Sequence, residues 1–221
     1  DFSGSKIKLS GLLDLSGGTL TSSSTSNLEL QTDSGFSSSA QFTLPSLDLN
    51  SKKLSLNSAT THLVISNPFA AGTNESIDTK AGSLTLSGTA TLENESAIES
   101  SSGTLTFNGN VSLDDSSILL TGGSALFNSA TQISGGELKL HDAALTLSSG
   151  ISMKDSSKLS LKNTNFAGSS KVTLTGGTLD LGGTIGSLSS VQTDANTSLE
   201  LNSDTTITRT DAMEAGGLKL N

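Results

Sequence analysis

The chain has no cysteine, no tryptophan and no tyrosine, and Arg209 is its only arginine. Without cysteine there can be no disulfide scaffold, no cysteine-based zinc site and no thiol catalysis. Trp and Tyr are the usual platforms for stacking sugar rings, so an aromatic carbohydrate site is not expected. Twelve basic residues stand against twenty-one acidic ones, a formal net charge of −9. A phosphate-binding surface needs clustered Lys and Arg, so nucleic acid is not an expected partner, and the same balance argues against anionic membranes. No stretch approaches the ~18 consecutive apolar residues that would span a bilayer. Direct membrane insertion of this segment is therefore not expected. The opening Asp1-Phe2-Ser3-Gly4 lacks the basic and apolar regions of a secretory leader, as a mature product or an excised fragment would.

Hydrophobic residues are also few, at 33%. Disorder couples low hydrophobicity to high net charge, yet only 15% of residues here are charged. The apolar residues are evenly spaced instead of being gathered in blocks. A fold with a core one side chain deep tolerates this composition. Ser, Thr, Gly and Asn supply its turns and its solvated outside.

The spacing is clearest between Gly135 and Leu181. Apolar–polar–apolar segments recur there as Leu138/Leu140, Leu145/Leu147, Ile151/Met153, Leu159/Leu161, Val172/Leu174 and Leu179/Leu181. Every third segment returns after about twenty residues, the mark of a coiled β-solenoid. Three columns can be followed along most of the chain. One includes Ile7/Leu9, Leu28/Leu30, Phe69, Leu92 and Val191; the second includes Leu13/Leu15, Phe36, Ile77, Ile118/Leu120 and Leu218/Leu220. The third includes Leu20, Phe42/Leu44, Leu105/Phe107, Phe166 and Ile207. Alternation puts the apolar pair on one side of each strand and its polar partner on the other. The expected fold is all-β: a right-handed parallel β-helix with three strands per coil, about 20–21 residues per coil and roughly 10–11 coils. At about 4.8 Å per coil this is a rod of roughly 50 Å. The right-handed winding follows from the coil length, since left-handed hexapeptide helices repeat near every eighteen residues or so.

Residues 1–221 read as a single solenoid domain, expected to continue beyond Asn221 because an open solenoid end invites aggregation. Two irregularities interrupt it. Ser66–Ser76 contains Asn67, Pro68, Phe69, Thr73, Asn74 and Glu75; proline cannot donate to a sheet ladder, so this stretch reads as a loop leaving one corner and as the candidate binding site. Leu30–Phe42 is the second irregularity. Asp211–Ala215 could form one helical turn at a corner. Twenty-residue offsets place Phe107 over Phe127 and Asn108 over Asn128, an expected aromatic stack and Asn ladder.

Catalytic and metal signals are weak. Asp114, Asp115, Glu137, Asp142 and Asp155 are the carboxylates that neighbouring coils could group. His62 and His141 lie about four coils apart and lack zinc-ligand spacing. Glycine pairs such as Gly122-Gly123 do not continue into a calcium-binding nonapeptide. Thr-x-Thr segments at Thr89, Thr104 and Thr173 do not share one register, as an ice-binding ladder would require. Four Asn-x-Ser/Thr sequons, beginning at Asn74, Asn94, Asn110 and Asn196, arise easily in such a composition. No cofactor or metal is expected, and the chain reads as a non-enzyme.

The phrases Ser83-Leu-Thr-Leu-Ser-Gly88, Gly103-Thr-Leu-Thr-Phe-Asn-Gly109, Gly135-Gly-Glu-Leu-Lys-Leu140 and Gly176-Gly-Thr-Leu-Asp-Leu181 resemble passenger domains of bacterial type V autotransporters. Phe107-Asn108-Gly109-Asn110 and Gly122-Gly123-Ser124-Ala125-Leu126 are similar to the F-x-x-N and G-G-A-[ILV] repeats of chlamydial polymorphic outer-membrane proteins. The resemblance implies a β-helix on the bacterial cell surface, tethered to the outer membrane through a C-terminal barrel. It implies an adhesin or stalk whose partner is a host or cell-surface receptor, or the protein itself. Two alternatives remain open. One is a polysaccharide-degrading β-helix such as a lyase or phage tailspike, and the other is an architectural filament or surface-layer unit.

Overall fold

The computed structural model describes residues 6–15, 26–168, 170–186, 191–207 and 219–220. All elements among them are strands, and these strands pair in parallel. The molecule is a parallel β-helix. Nine successive coils, from Asn27 to Ile207, wind over three faces, and Lys6–Leu9, Leu12–Leu15 and Lys219–Leu220 add partial coils at the ends. That is fewer than the ten or eleven expected, because Leu20 and Leu218, like Asp211–Ala215, lie outside the described residues.

The first face carries strands such as Ala90–Glu93, Val111–Asp114 and Thr131–Ser134. The second is an eleven-stranded sheet including Ser117–Leu120, Glu137–His141 and Lys158–Lys162. The third is a seven-stranded sheet including Ser83–Leu86, Thr104–Phe107 and Ser124–Phe127. Register follows the apolar columns: Leu138 pairs with Ile118 before it and with Leu159 after it. In Glu137–His141 the two leucines are fully buried while Glu137, Lys139 and His141 are half-buried on the outside. Ten spacings of about 4.8 Å give the second sheet a length of about 48 Å.

The corners explain the Asn, Asp and Gly content. Between the first and second faces the chain turns through residues of positive φ: Asn50 (50°), Asn74 (62°), Asn94 (52°), Asp115 (47°), Gly135 (70°) and Asp155 (60°). Asn, Asp and Gly tolerate this left-handed geometry best. Just beyond it, buried hydroxyls lace the coils together. Ser116, Ser157 and Thr197 donate to the carbonyls of Leu92 (2.9 Å), Ile133 (3.1 Å) and Leu174 (3.2 Å) on earlier coils. At the corner between the second and third faces, Thr164 does the same to Leu140 at 2.6 Å. A serine or threonine there satisfies itself and a coil carbonyl in one bond.

Both expected irregularities are regular coil. Ser34–Ser38 is a strand that pairs with Leu12–Leu15 and with Lys53–Leu56. Phe36 points inward and meets Phe42 edge-on, centroids 5.1 Å apart. The 66–76 stretch also stays within the coil: Phe69–Ala71 is a first-face strand paired with Ala90–Leu92. Pro68 is accommodated because it occupies a corner just before that strand, where its missing N–H costs no ladder bond.

Candidate functional site

The six residues of the expected binding loop are not brought together. Asn67 and Pro68 lie at the corner leading into the first face, where the Asn67 amide donates to the Pro45 carbonyl at 2.9 Å. Phe69 is buried in the core. Thr73, Asn74 and Glu75 form the next corner, at the far end of the intervening strand. The Glu75 carboxylate accepts the Gly72 amide at 2.8 Å and the Ser51 amide of the preceding coil at 2.7 Å. It laces two coils, while Thr73 at the same corner lines a groove with Asn94, Glu95 and Asp115.

The stacked residues form a ladder. Phe107 and Phe127 lie parallel, centroids 4.6 Å apart and 12° between planes, inside the core. Outside, Asn128 Nδ2 donates to Asn108 Oδ1 at 2.8 Å, and Ser148 Oγ donates to Asn128 Oδ1 at 3.0 Å. The side-chain amides are occupied with one another along the rod, which gives them a structural role at this corner.

Charged side chains gather along the corner between the first and second faces. Glu95, Asp115 and Gly135 stack on successive coils, with the Glu95 amide donating to the Asp115 carbonyl at 2.7 Å. A groove of about 330 Å³ runs beside them and includes Glu137 and Lys158 in its wall. Of the five carboxylates singled out from the sequence, Asp115 and Glu137 share this groove. Asp155 accepts the Ser134 hydroxyl at 2.6 Å one coil further on. Asp142 lies at the other end of the second face and accepts Asn163 Nδ2 at 2.8 Å. Among the described residues no three His, Asp or Glu side chains are placed to hold one metal ion.

The same face carries a polar network that spacing alone did not single out. Ser160 Oγ donates to Asp180 Oδ2 at 3.1 Å, and His141 Nε2 lies 3.0 Å from the same Oγ. Because the serine proton is given to Asp180, His141 supplies the Nε2–H donor. Lys158 Nζ closes the network on Asp180 at 3.1 Å, with Glu200 at 3.8 Å. Burial pushes the Asp180 carboxyl up, but hydrogen bonds from Lys158, Asn202 and Ser160 outweigh it and hold it below its ordinary value. The hydrogen bond to Asp180 outweighs burial at Lys158 and raises its ammonium. Burial, then the charges of Lys139 and Lys162, lower the His141 imidazole. The order is histidine–serine–aspartate with the serine in the middle. A nucleophilic serine needs its proton taken by the histidine, whereas this hydroxyl is buried and turned toward the carboxylate. The arrangement is a cross-coil clamp. Its sequence signal was the twenty-residue offset between Ser160 and Asp180, visible only once the outward rows are aligned. His62, on the third face, meets the Thr85 hydroxyl at 3.0 Å and belongs to neither group.

A scan against protein-family models finds no match for the chain, and searches of curated proteins and of solved structures find none. On geometry alone, then, the chain is a β-solenoid repeat protein of parallel β-helix architecture.

Proposed function

We propose that this chain is a non-enzymatic adhesin or stalk segment of a bacterial surface protein, of the kind carried as an autotransporter passenger. On this reading it stands outside the cell, tethered to the outer membrane through a C-terminal barrel, and attaches to a host, a surface or another cell. The observation that carries it is the regularity of the rod. Nine coils are laced by short side chains whose polar atoms are directed at one another, coil to coil. Such a structure holds whatever it presents at a fixed distance and spends its hydrogen bonds on its own length. The lack of cysteine supports the same reading, because a passenger crosses the outer membrane unfolded. Beads coated with the chain are expected to attach to cultured cells or to bacteria more strongly than beads coated with an unrelated β-helix. Equal attachment would overturn the reading.

The groove between Glu95, Asp115, Glu137 and Lys158 favours a second reading, a polysaccharide-degrading β-helix, because grouped carboxylates supply general acids and bases. Release of new chain ends from acidic or neutral polysaccharides, abolished by Asp115→Asn or Glu137→Gln, would establish it over the first.

A further inference from the structure

Charge is sorted by face. The seven strands of the third face contain no Asp, Glu, Lys or Arg. Their central outward row passes through Thr43, Val64, Thr85, Thr106, Leu126 and Thr146, in register from coil to coil. The uncharged surface continues around the next corner, through Ser87-Gly88-Thr89, Asn108-Gly109-Asn110 and Asn128-Ser129-Ala130. It reaches the first outward row of the first face, where Thr91, Ser112, Gln132 and Ser152 follow one another. A shallow depression of about 310 Å³ lies there, between Thr89, Thr91, Ser112 and Gln132. One row further, charge returns with Glu93, Asp114 and Lys154. A chain of net charge −9 thus keeps one broad side free of carboxylates among the described residues, with Lys171 its one charged group at the end of the corner row.

We propose that this side is where a second copy of the chain packs alongside the first, rod against rod. Several features of the surface select this occupant. Among the described residues it offers a single cation, Lys171 at the corner of the last third-face coil, and no carboxylate to a basic partner, and neither Trp nor Tyr exists to stack a sugar ring. What it does offer is hydroxyl, amide and small apolar groups repeating at about 4.8 Å, and a second copy carries the same groups at the same period. Packing by this side also keeps the acidic corners of both rods away from the contact, whereas packing by the charged edge would bring Glu95 and Asp115 columns together. The extent is adequate. Six spacings of about 4.8 Å by roughly 25 Å around the corner give about 700 Å² per copy, close to the about 800 Å² per partner of a specific interface.

Sedimentation velocity of the purified chain over about a hundredfold range of concentration tests this. The chain is expected to shift from monomer toward dimer as concentration rises. Added salt is expected to strengthen the association, because it screens the repulsion of two acidic rods without weakening any ion pair in the contact. Thr106→Asp combined with Thr89→Asp places like charges in both contacting surfaces and is expected to weaken pairing by at least about tenfold. Ser198→Asp, on the second face, is expected to leave it unchanged. Ser87→Asp alone provides an independent variant at the exposed corner, and far-UV circular dichroism checks that each variant retains its strands. A monomer at every concentration, association weakened by salt, or equal sensitivity to Ser198→Asp would overturn the proposal. Retention of a strictly monomeric chain on a neutral glucan matrix would overturn it in favour of a glycan surface. The proposal does not depend on the adhesin reading: bead attachment to foreign cells and pairing of the purified chain fail separately.

Discussion

Thr131 occupies a first-face core position, with Val111 on one side and Ile151 on the other. Its side-chain oxygen is buried and has no hydrogen-bond partner. A hydroxyl in that setting has lost its water and gained nothing. Thr131→Val exchanges it for a methyl of similar size and is expected to raise stability by about 1 kcal/mol, read as a higher urea midpoint. An unchanged or lower midpoint would mean that the hydroxyl is satisfied in solution. Titration at His141 gives a second residue-scale test. Its pKa is lowered by folding, chiefly through burial, from an ordinary 6.5. The neutral imidazole is therefore the form that the fold favours, and its contribution is complete above pH 6.5 and lost as pH falls toward the folded value. The Asp180 carboxylate, also lowered, contributes above its ordinary 3.8 and is lost at still lower pH. Melting temperature is expected to fall in two stages on acidification, and His141→Gln is expected to remove the first. Retention of both stages in that variant would assign the first to another group.

At the scale of a coil, the corners carry the constraint. Gly103 follows the second face, and a Cβ built on it would land on the Gly82 carbonyl oxygen of the coil below. The obstacle is backbone and cannot swing aside. Gly103→Ala must separate two coils locally, and a loss of about 2–3 kcal/mol is expected from such overpacking. A two-residue comparison checks the cause: Gly72→Ala, with open space around its Cβ, is expected to cost far less. Equal losses would show that backbone freedom, and not coil contact, governs both sites. The corners were also where the sequence was hardest to read. Pro68 and the triple serine at Ser37-Ser38-Ser39 resemble loop signals in isolation. Each stays within the coil because a neighbouring aromatic, Phe69 or Phe36, is committed to the core.

Across the whole molecule, stability is shared between neighbours only, as in any linear repeat. The central coils have fully buried columns, such as Ile98, Ile118, Leu138 and Leu159, while Ile7, Leu9, Leu13 and Leu15 at one end are only partly buried. Hydrogen exchange is therefore expected to be slowest between about residues 98 and 161 and fastest in the first strands. Uniform protection would indicate a single cooperative unit instead.

The strand columns were legible because a core one side chain deep calls for an apolar side chain at nearly every inward position. Leu138, Leu159 and Leu179 repeat in the sequence for the same reason that they stack in space. The Phe107/Phe127 and Asn108/Asn128 pairs were legible too, since parallel register turns a twenty-residue offset into contact. What the tertiary structure decided was everything that depends on direction and on neighbouring coils. It placed Phe69 inside, separated Asn67 from Glu75, and brought Ser160 between His141 and Asp180. It also showed that the carboxylates of an acidic chain avoid one side of the rod among the described residues. One-dimensional spacing tells which residues share a column, but only the turning of the corners decides which columns share a face.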